Sequence, residues 1–360
     1  MTSNIKNNYV VIMAGGVGSR FWPYSRKNFP KQFHDVLGIG QSLLQLTAQR
    51  FDSICLPENI YVVTNSQYKS LVKEQLPYLS DDQILLEPEG RNTAPCIAYA
   101  SYKIHQKNPD ASIVICPSDH IILKENTFKE KIETAITVAN EGGNLVTLGI
   151  TPTRPDTGYG YIQFEKSDLK SKEVKRFAEK PSLEIAKVFV SNGDYVWNAG
   201  IFVWKSSTII TAFNQYLPQI GEVFEEAKEV FYTKKEQEYI NSNFSRCDEI
   251  SIDYGIMEKA KNVYVILSDI GWSDLGTWKS LYEVKDKDQN GNVVDGDVIL
   301  YNTTDSIIKT PKDKLVVING VKNLIVAEYD GVLLICNKDD EQKVKNLVGD
   351  VKKIKGEGYY

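Results

Sequence analysis

Apolar residues in the first half of the chain occur in short runs that alternate with amphipathic segments. The runs cover residues 9–13, 60–64, 84–86, 112–116 and 145–150, and the amphipathic segments cover residues 41–51, 67–76, 93–106 and 127–140. Short β-branched runs are typical of buried strands, whereas longer periodic segments are typical of helices. The alternation predicts a doubly wound α/β fold with a mostly parallel sheet and helices on both faces. Ligands bind such folds beyond the carboxyl ends of the strands, so functional residues are expected there.

The pattern changes after residue 150 and again after residue 284. Residues 206–246 carry an apolar stripe at helical spacing, which predicts helices packed on a core, and another helix is expected from Ser251. Beyond the polar segment KDKDQNGNVVDGD, short strands are predicted at residues 297–301, 306–309, 315–318, 324–328 and 332–336. We therefore expect one domain at residues 1–284, with halves at about 1–150 and 151–284, and a small β-rich domain at residues 285–360.

Composition narrows the choice of partners. The net charge of -5 and the pI near 5.5 argue against a broad nucleic-acid or membrane surface, so the expected partner is a small anion in a local cationic pocket. The five cysteines are far apart and show no C-x-x-C pair, which predicts neither zinc nor disulfides. The polar start MTSNIKNN lacks the apolar core of a signal peptide, and no apolar run approaches the ~20 residues of a membrane span. We expect a cytoplasmic protein.

The strand at residues 9–13 runs into a glycine-rich loop that favours phosphate binding. Gly15, Gly16 and Gly18 lack a Cβ, so their backbone can approach a bulky anion. A P-loop motif is absent, and a dinucleotide-binding fingerprint fails because Phe21 occupies its third glycine position and Pro23 interrupts the helix. A tight turn followed by solvated basic residues is the simpler alternative.

Further candidate residues follow other strands. The segment EPEGRNTAP at residues 87–95 forces a turn and can cap the next helix, and either Glu87 or Glu89 could accept hydrogen bonds from a base. Asp119 follows another strand, where it could hold a metal ion or simply cap a helix. The three histidines are scattered, which argues against a histidine metal site, and His120 is interpreted as structural.

Three strings resemble known motifs: SRKNFPKQF at residues 25–33, EGRNTAP at residues 89–95 and WSDLGTW at residues 272–278. Together with the glycine loop they resemble the sugar-1-phosphate nucleotidyltransferases, and within them the mannose-1-phosphate guanylyltransferase branch. The resemblance is strong over residues 9–284 and loose beyond them. It implies a Rossmann-like, GT-A-like catalytic domain followed by a left-handed β-helix-like cap. The isomerase domain of bifunctional relatives is not expected here.

The resemblance also implies roles for individual residues. Arg20 would hold the β- and γ-phosphates, Lys31 would neutralise the α-phosphate, and Lys180 would hold the sugar phosphate. Mg²⁺ would be bound by Asp119 and Asp274. The implied nucleotide-binding residues are Ala14, Gly15, Gly16, Gly18, Ser19, Arg20, Lys31, Glu87, Gly90, Asn92, Thr93 and Asp119. The implied sugar-phosphate-binding residues are Gly160, Glu179, Lys180, Asn198 and Asp253.

The reaction implied is transfer of GMP from GTP to α-D-mannose 1-phosphate, with pyrophosphate leaving. A sugar 1-phosphate has a second pKa of ~6, so it is a ready nucleophile at neutral pH and needs no catalytic base. The same reaction on a heptose, fucose or glucose phosphate is the nearest alternative. A catalytically silent nucleotide-sugar sensor is another, although the charged residues expected of an enzyme are present. A dinucleotide oxidoreductase fits less well, and the resemblance also allows a homodimer.

Overall fold

The computed structural model describes residues 5–360, so the first four residues of the polar N-terminal segment lie outside it. The chain divides into two compact units. The first comprises the residues up to Gly15, then Thr47–Ser118 and Ile122–Trp272, and the second comprises Gly16–Leu46, Asp119–Ile121 and Ser273–Tyr360. No helix in the described chain is long and apolar enough to cross a bilayer.

Of the strands described before residue 274, five coincide with the five apolar runs of the sequence, namely those that begin at residues 8, 60, 84, 112 and 145. The strands before residue 274 are β1 (Asn8–Ala14), β2 (Ile60–Asn65), β3 (Ile84–Glu87), β4 (Ser112–Pro117), β5 (Ile121–Ile122), β6 (Leu145–Ile150), β7 (Tyr161–Phe164), β8 (Ser171–Ala178), β9 (Tyr195–Lys205), β10 (Val263–Ser268) and β11 (Trp272–Ser273). The later strands are β12 (Val293–Asp295), β13 (Asp297–Tyr301), β14 (Ile307–Lys309), β15 (Leu315–Asn319), β16 (Leu324–Tyr329) and β17 (Val332–Asn337).

The helices of the first half also match the amphipathic segments, whereas the helical stretch predicted at residues 206–246 is divided into three shorter helices. The helices are α1 (Leu43–Gln49), α2 (Lys69–Gln75), α3 (Thr93–Lys107), α4 (Glu125–Asn140), α5 (Leu183–Asn192), α6 (Ser206–Tyr216), α7 (Pro218–Glu226), α8 (Glu236–Asn243), α9 (Trp278–Val284) and α10 (Val344–Lys355). The helix expected from Ser251 is reduced to a π-helical segment at Asp253–Met257. Helices α5 and α10 are elements that the sequence patterns do not predict.

The first unit contains a nine-stranded sheet in the order β3-β2-β1-β4-β9-β6-β10-β8-β7. Tyr9 and Val11 of β1 pack in a cluster with α3, α6 and α7, while α4 packs against β4, β6, β9 and β10. The predicted doubly wound α/β fold is confirmed. The sheet is mixed rather than uniformly parallel, because β9 runs antiparallel between β4 and β6, and β7 and β8 form an antiparallel edge. A buried apolar strand has the same pattern in either direction, so the sequence does not reveal this reversal.

The second unit contains the C-terminal β-domain. Strands β12, β14 and β16 pair in parallel, as do β13 and β15, whereas β17 is antiparallel to β16. Ile307, Ile325 and Ala327 pack in one cluster with α9 and α10. No residue of β13 or β15 is buried, although nearly all are apolar.

Candidate active site

The phosphate-loop candidates begin at the end of β1. The Ala14 carbonyl accepts a hydrogen bond from the Thr64 hydroxyl at 2.7 Å, which fixes the last residue of the strand. Gly18, in the second unit, has a φ of 66°, and a Cβ there would lie 3.3 Å from the Cβ of Lys31. The turn therefore favours glycine for its conformation and for its closeness to Lys31. Gly16 and Arg20 are exposed, and Ser19 is half-buried.

Lys31 is buried, and its ammonium group has three acceptors. The Lys31 side chain is 3% exposed, and its ammonium contacts the Asp119 carboxylate at 2.9 Å. It also donates to the backbone carbonyls of Asp274 and Leu275 at 3.0 and 2.8 Å. These three acceptors use all three donors of the ammonium group. A direct hydrogen bond to an α-phosphate would require Lys31 to give up one of them.

The two aspartates predicted to bind metal lie in the same place. Both aspartates line a cavity of about 290 Å³ in the second unit. The Asp119 carboxylate lies 2.9 Å from the Lys31 ammonium, and the Asp274 backbone carbonyl lies 3.0 Å from it. The cavity is lined by Gly18, Ser19, Arg20, Lys31, Asp119, His120, Asp274, Gly276 and Lys345. The structure thus gathers residues that are up to about 330 positions apart in the sequence.

Local hydrogen bonds and charges fix the orientation of the Asp274 carboxylate and the ionisation of the Asp119 carboxylate. The Asp274 carboxylate accepts from the Gly276 amide at 3.0 Å, which orients it at the start of the turn before α9. Burial of the Asp119 carboxyl raises its pKa, but the charges of Lys31 and His120 and the hydrogen bond from Lys31 outweigh burial, so the pKa is held below its usual value. Asp119 is therefore ionised at neutral pH.

The donor set of this cavity fits a hard divalent cation. No group of three or more His, Cys, Asp or Glu side chains suited to a metal occurs in residues 5–360. Mg²⁺, however, is typically held by only one or two carboxylates and completes its shell with phosphate oxygens and water. Two carboxylates in a cavity that is otherwise basic and polar meet that requirement.

The candidate base-reading segment lies in the first unit. Glu87 ends β3, its side chain is buried, and its Oε1 atom has no hydrogen-bond partner among the described residues. Burial raises the pKa of Glu87 to about 8. A Cβ added to Gly15 would lie 3.8 Å from its Oε2 atom, so the carboxyl is close to the glycine turn. Glu89, in contrast, is exposed and pairs with Arg91 at 2.7 Å.

The helix after this segment is capped by Asn92, one of the two residues, Asn92 and Thr93, that could serve as its cap. Asn92 has a φ of 65°, and its side chain accepts from the Thr93 amide at 2.9 Å at the start of α3. The Thr93 hydroxyl accepts from the Ile252 amide at 2.9 Å, which ties this helix end to the residue before Asp253. Gly90 is exposed, and a Cβ there would meet nothing within 4 Å.

The candidate sugar-binding residues form a second cluster in the first unit. The Asn198 amide donates to the Asp253 carboxylate at 2.7 Å, and its backbone N–H donates to the Gly160 carbonyl at 2.8 Å. A Cβ on Gly160 would displace the Glu179 carboxylate from its present position, so the backbone of Gly160 and this carboxylate lie close together. Glu179 is paired with Lys180, whose φ is 44°. All five predicted residues therefore lie together.

The environment of this cluster suppresses ionisation of Asp253. Burial is the main cause of its raised pKa, and the nearby Glu179 carboxylate adds to it, whereas the hydrogen bond from Asn198 acts in the opposite direction. The cluster therefore offers a mixture of donors and acceptors, together with the ammonium group of Lys180, whose side chain is 60% exposed. Such a set suits sugar hydroxyls beside a phosphate.

Comparison with known proteins identifies the family. The sequence profile described as "Nucleotidyl transferase" matches residues 9–291. The chain belongs to this nucleotidyl transferase family. A second profile, described as "MannoseP isomerase/GMP-like beta-helix domain", matches residues 296–351 and confirms the expected β-helix-like domain. Enzymes of the nucleotidyl transferase family generally use a divalent metal.

Two named relatives are mannose-1-phosphate guanylyltransferases, and a solved structure carries a related name. A mannose-1-phosphate guanylyltransferase of Escherichia coli is 39% identical over 348 residues, which is 94% of this chain and 74% of the relative. A protein with the same name from Salmonella montevideo is 40% identical over 351 residues, 95% of this chain and 73% of the relative. A crystal structure named mannose-1-phosphate geranyltransferase from Thermus thermophilus superposes with a TM-score of 0.85 and 31% identity, covering 96% of this chain and 99% of that chain.

Three residues of the cavity are absent from the set that the sequence predicts. Gly276 follows Asp274 in a motif that the sequence does show, so its place could have been inferred. His120 is interpreted from the sequence as structural, yet it lines the cavity and lies 3.9 Å from the Asp119 carboxylate. Lys345 belongs to α10, a lysine-rich segment that carries no recognisable signal.

Proposed function

We propose that this chain transfers GMP from GTP to α-D-mannose 1-phosphate, giving GDP-mannose and pyrophosphate. The observation that carries the proposal is the gathering of Arg20, Lys31, Asp119 and Asp274 at one cavity, in a chain whose relatives are named mannose-1-phosphate guanylyltransferases. Two polyanions must meet for this reaction to occur. A cavity that combines basic side chains with two carboxylates for a cation suits that task.

The nucleotide is assigned to the glycine turn and to the segment after β3. Guanine presents two neighbouring N–H donors that one carboxylate can accept, and the buried Glu87 with its unpartnered Oε1 is a better candidate than Glu89, which pairs with Arg91. Asn92 and Thr93 would shape the surrounding helix end. Ala14, Gly15, Gly16, Gly18, Ser19 and Gly90 are assigned to backbone contacts with the nucleotide.

The sugar phosphate is assigned to the cluster around Asn198. Glu179, Asn198 and Asp253 supply short side chains that can accept or donate hydrogen bonds to hydroxyl groups. The exposed ammonium of Lys180 would bind the phosphate, exchanging its present partner Glu179 for the incoming anion. Gly160 would offer its backbone at close range.

The phosphates and the metal are assigned to the cavity of the second unit. Arg20 would bind the β- and γ-phosphates, and the charge of Lys31 would act on the α-phosphate while its ammonium holds Asp119 and the turn at Asp274 in place. Mg²⁺ would be bound by Asp119 and Asp274, and when bound it would screen the charge of the triphosphate. Positioning and charge screening therefore replace a catalytic base.

A pyrophosphate-release assay across substrates tests the proposal. Purified protein with Mg²⁺ is given GTP or ATP in combination with the 1-phosphates of mannose, glucose, fucose and a heptose. Fast release with GTP and mannose 1-phosphate is the expected result. Faster pyrophosphate release with another sugar phosphate would mean that this sugar phosphate, and not mannose 1-phosphate, is the preferred substrate. Binding of GDP-mannose without any turnover would favour the catalytically silent nucleotide-sugar sensor. A cytoplasmic location, a homodimer and a domain boundary at residue 284 remain predictions beside this one.

A further inference from the structure

The cavity that holds Asp119 and Asp274 contains cations that the two aspartates do not neutralise. Lys31 is paired with Asp119, but Arg20 and Lys345 make no ion pair with any residue in the described part of the chain. Both side chains are exposed. Two unpaired cations at one cavity create a local positive potential that favours an anion.

The position of Lys345 is fixed by the packing of α10. Its neighbour Val344 is fully buried and Val348 is 3% exposed, and both belong to the cluster that contains Phe21, the residue after Arg20. The chain beyond α10 is attached to the same segment, because the Trp22 indole donates to the Tyr359 carbonyl at 2.7 Å. The helix that carries Lys345 and the turn that carries Arg20 are thus held together.

Other lysines of the same helix provide a comparison. Lys352, Lys353 and Lys355 lie in its last turns and do not line the cavity. The side chain of Lys353 is 81% exposed, and its ammonium lies 3.9 Å from the Asp350 carboxylate. A lysine that merely keeps the helix solvated would be interchangeable with these.

We propose that Lys345, although it comes from the C-terminal domain, binds the pyrophosphate part of the nucleoside triphosphate beside Arg20. The inference rests on the proposed function, because it assigns a further residue to the leaving-group side of that reaction. Lysine is a suitable binder here, since its ammonium acts as a point charge toward phosphate oxygens of varied geometry. Lys345 would contact GTP and free pyrophosphate. GDP-mannose lacks the β- and γ-phosphates of GTP and would not reach it.

The test compares Lys345→Gln with Lys353→Gln, which removes the same charge from the same helix. Binding of inorganic pyrophosphate is measured by calorimetry in Mg²⁺, alongside the KM values for GTP and mannose 1-phosphate. We expect Lys345→Gln to weaken pyrophosphate binding and to raise the KM for GTP by roughly three- to tenfold, as for loss of one partly solvated charge contact. The KM for mannose 1-phosphate and the affinity for GDP-mannose should stay within about twofold.

A variant with arginine separates charge from structure. Lys345→Arg keeps the charge and should retain pyrophosphate binding, whereas a purely structural lysine would not discriminate between glutamine and arginine in this way. If Lys345→Gln binds pyrophosphate as tightly as Lys353→Gln does, the assignment is wrong. If the wild-type protein transfers no nucleotide at all, the proposed reaction fails instead. Because pyrophosphate binding is measured directly, the two failures are distinguishable.

Discussion

Replacing Glu87 by glutamine tests how the protein would recognise guanine. The carboxyl is buried, its Oε1 has no partner among the described residues, and burial raises its pKa to about 8. In the free protein at neutral pH, the carboxyl is therefore mostly protonated. Because guanine offers two N–H donors, we expect binding to favour the ionised carboxylate and to release close to one proton.

The pH dependence of guanine-nucleotide binding follows from the pKa of Glu87. Ionising a group one pH unit below its pKa costs about 1.4 kcal/mol, which is a tenfold loss of affinity. The Kd for a guanine nucleotide should therefore fall about tenfold between pH 6 and pH 7 and level off above about pH 8. In Glu87→Gln this dependence should vanish. Binding at high pH should weaken roughly 10- to 100-fold, because the amide offers one acceptor and turns a donor toward guanine.

The same substitution should stabilise the free protein at alkaline pH. The pKa of Glu87 is raised from 4.5 to about 8 on folding, so between these values the folded protein keeps a proton that the unfolded chain has lost. The free energy of unfolding therefore falls as the pH rises through this window, by about 5 kcal/mol at most. Glutamine does not ionise, so the variant avoids this loss, but its buried amide would also lack hydrogen-bond partners. We therefore expect the free energy of unfolding of Glu87→Gln to exceed that of the wild type by roughly 2 kcal/mol at pH 8.

Titration calorimetry with GDP-mannose measures both the affinity and the proton release, because the phosphodiester groups of this ligand do not titrate near neutral pH. Repeating it in buffers of different ionisation enthalpy gives the number of protons released. Glu89→Gln is the matched control, since Glu89 is 48% exposed and pairs with Arg91, and it should behave like the wild type. A Kd that is flat from pH 6 to 8.5, with no proton release, would refute the assignment of Glu87.

Three further outcomes are expected. Lys31→Met should lower turnover roughly a hundredfold or more and also lower the melting temperature, because the Asp119 carboxylate and the carbonyls of Asp274 and Leu275 lose their shared donor. Lys27, whose side chain is half-exposed, is the control, and Lys27→Met should change both quantities little. Turnover of Lys31→Met within about threefold of wild type would contradict this role. Asp253→Asn should raise the KM for mannose 1-phosphate with the KM for GTP unchanged, as measured by initial rates, since its contact with Asn198 lies in the sugar cluster. Chelation of divalent cations should abolish turnover, and Mg²⁺ should restore it while Ca²⁺, with its looser coordination, restores less.

Local sequence patterns were sufficient for the strands and helices of the first half and for naming the candidate site residues. The strand before Ala14 and the rungs of the C-terminal β-domain were predictable because apolar residues recur at short intervals between turn residues. The site residues in strand-end motifs were predictable because parallel strands bring their carboxyl ends to one edge. Asn92 and Thr93 could be proposed as caps because asparagine and threonine are favoured at helix N-termini, and the structure uses Asn92.

Features that depend on tertiary packing were not predictable in this way. The three acceptors of Lys31 include two backbone carbonyls about 240 residues away in the sequence. Every residue has a backbone carbonyl, so a sequence pattern cannot show which of them will accept a hydrogen bond from Lys31. Lys345 reaches the cavity because Val344 and Val348 anchor its helix in the cluster that also contains Phe21. The antiparallel course of β9 depends on neighbours that its apolar side chains do not specify.

The bond between Trp22 and Tyr359 has a consequence for chimeric enzymes. A hybrid that joins the catalytic region of one relative to the β-helix domain of another would replace the C-terminal residues that accept the hydrogen bond from Trp22, in the segment after the glycine turn. Such hybrids should work only when the pairs across this contact are transplanted together. Mismatched hybrids should lose this hydrogen bond and, with it, most of their nucleotide transfer.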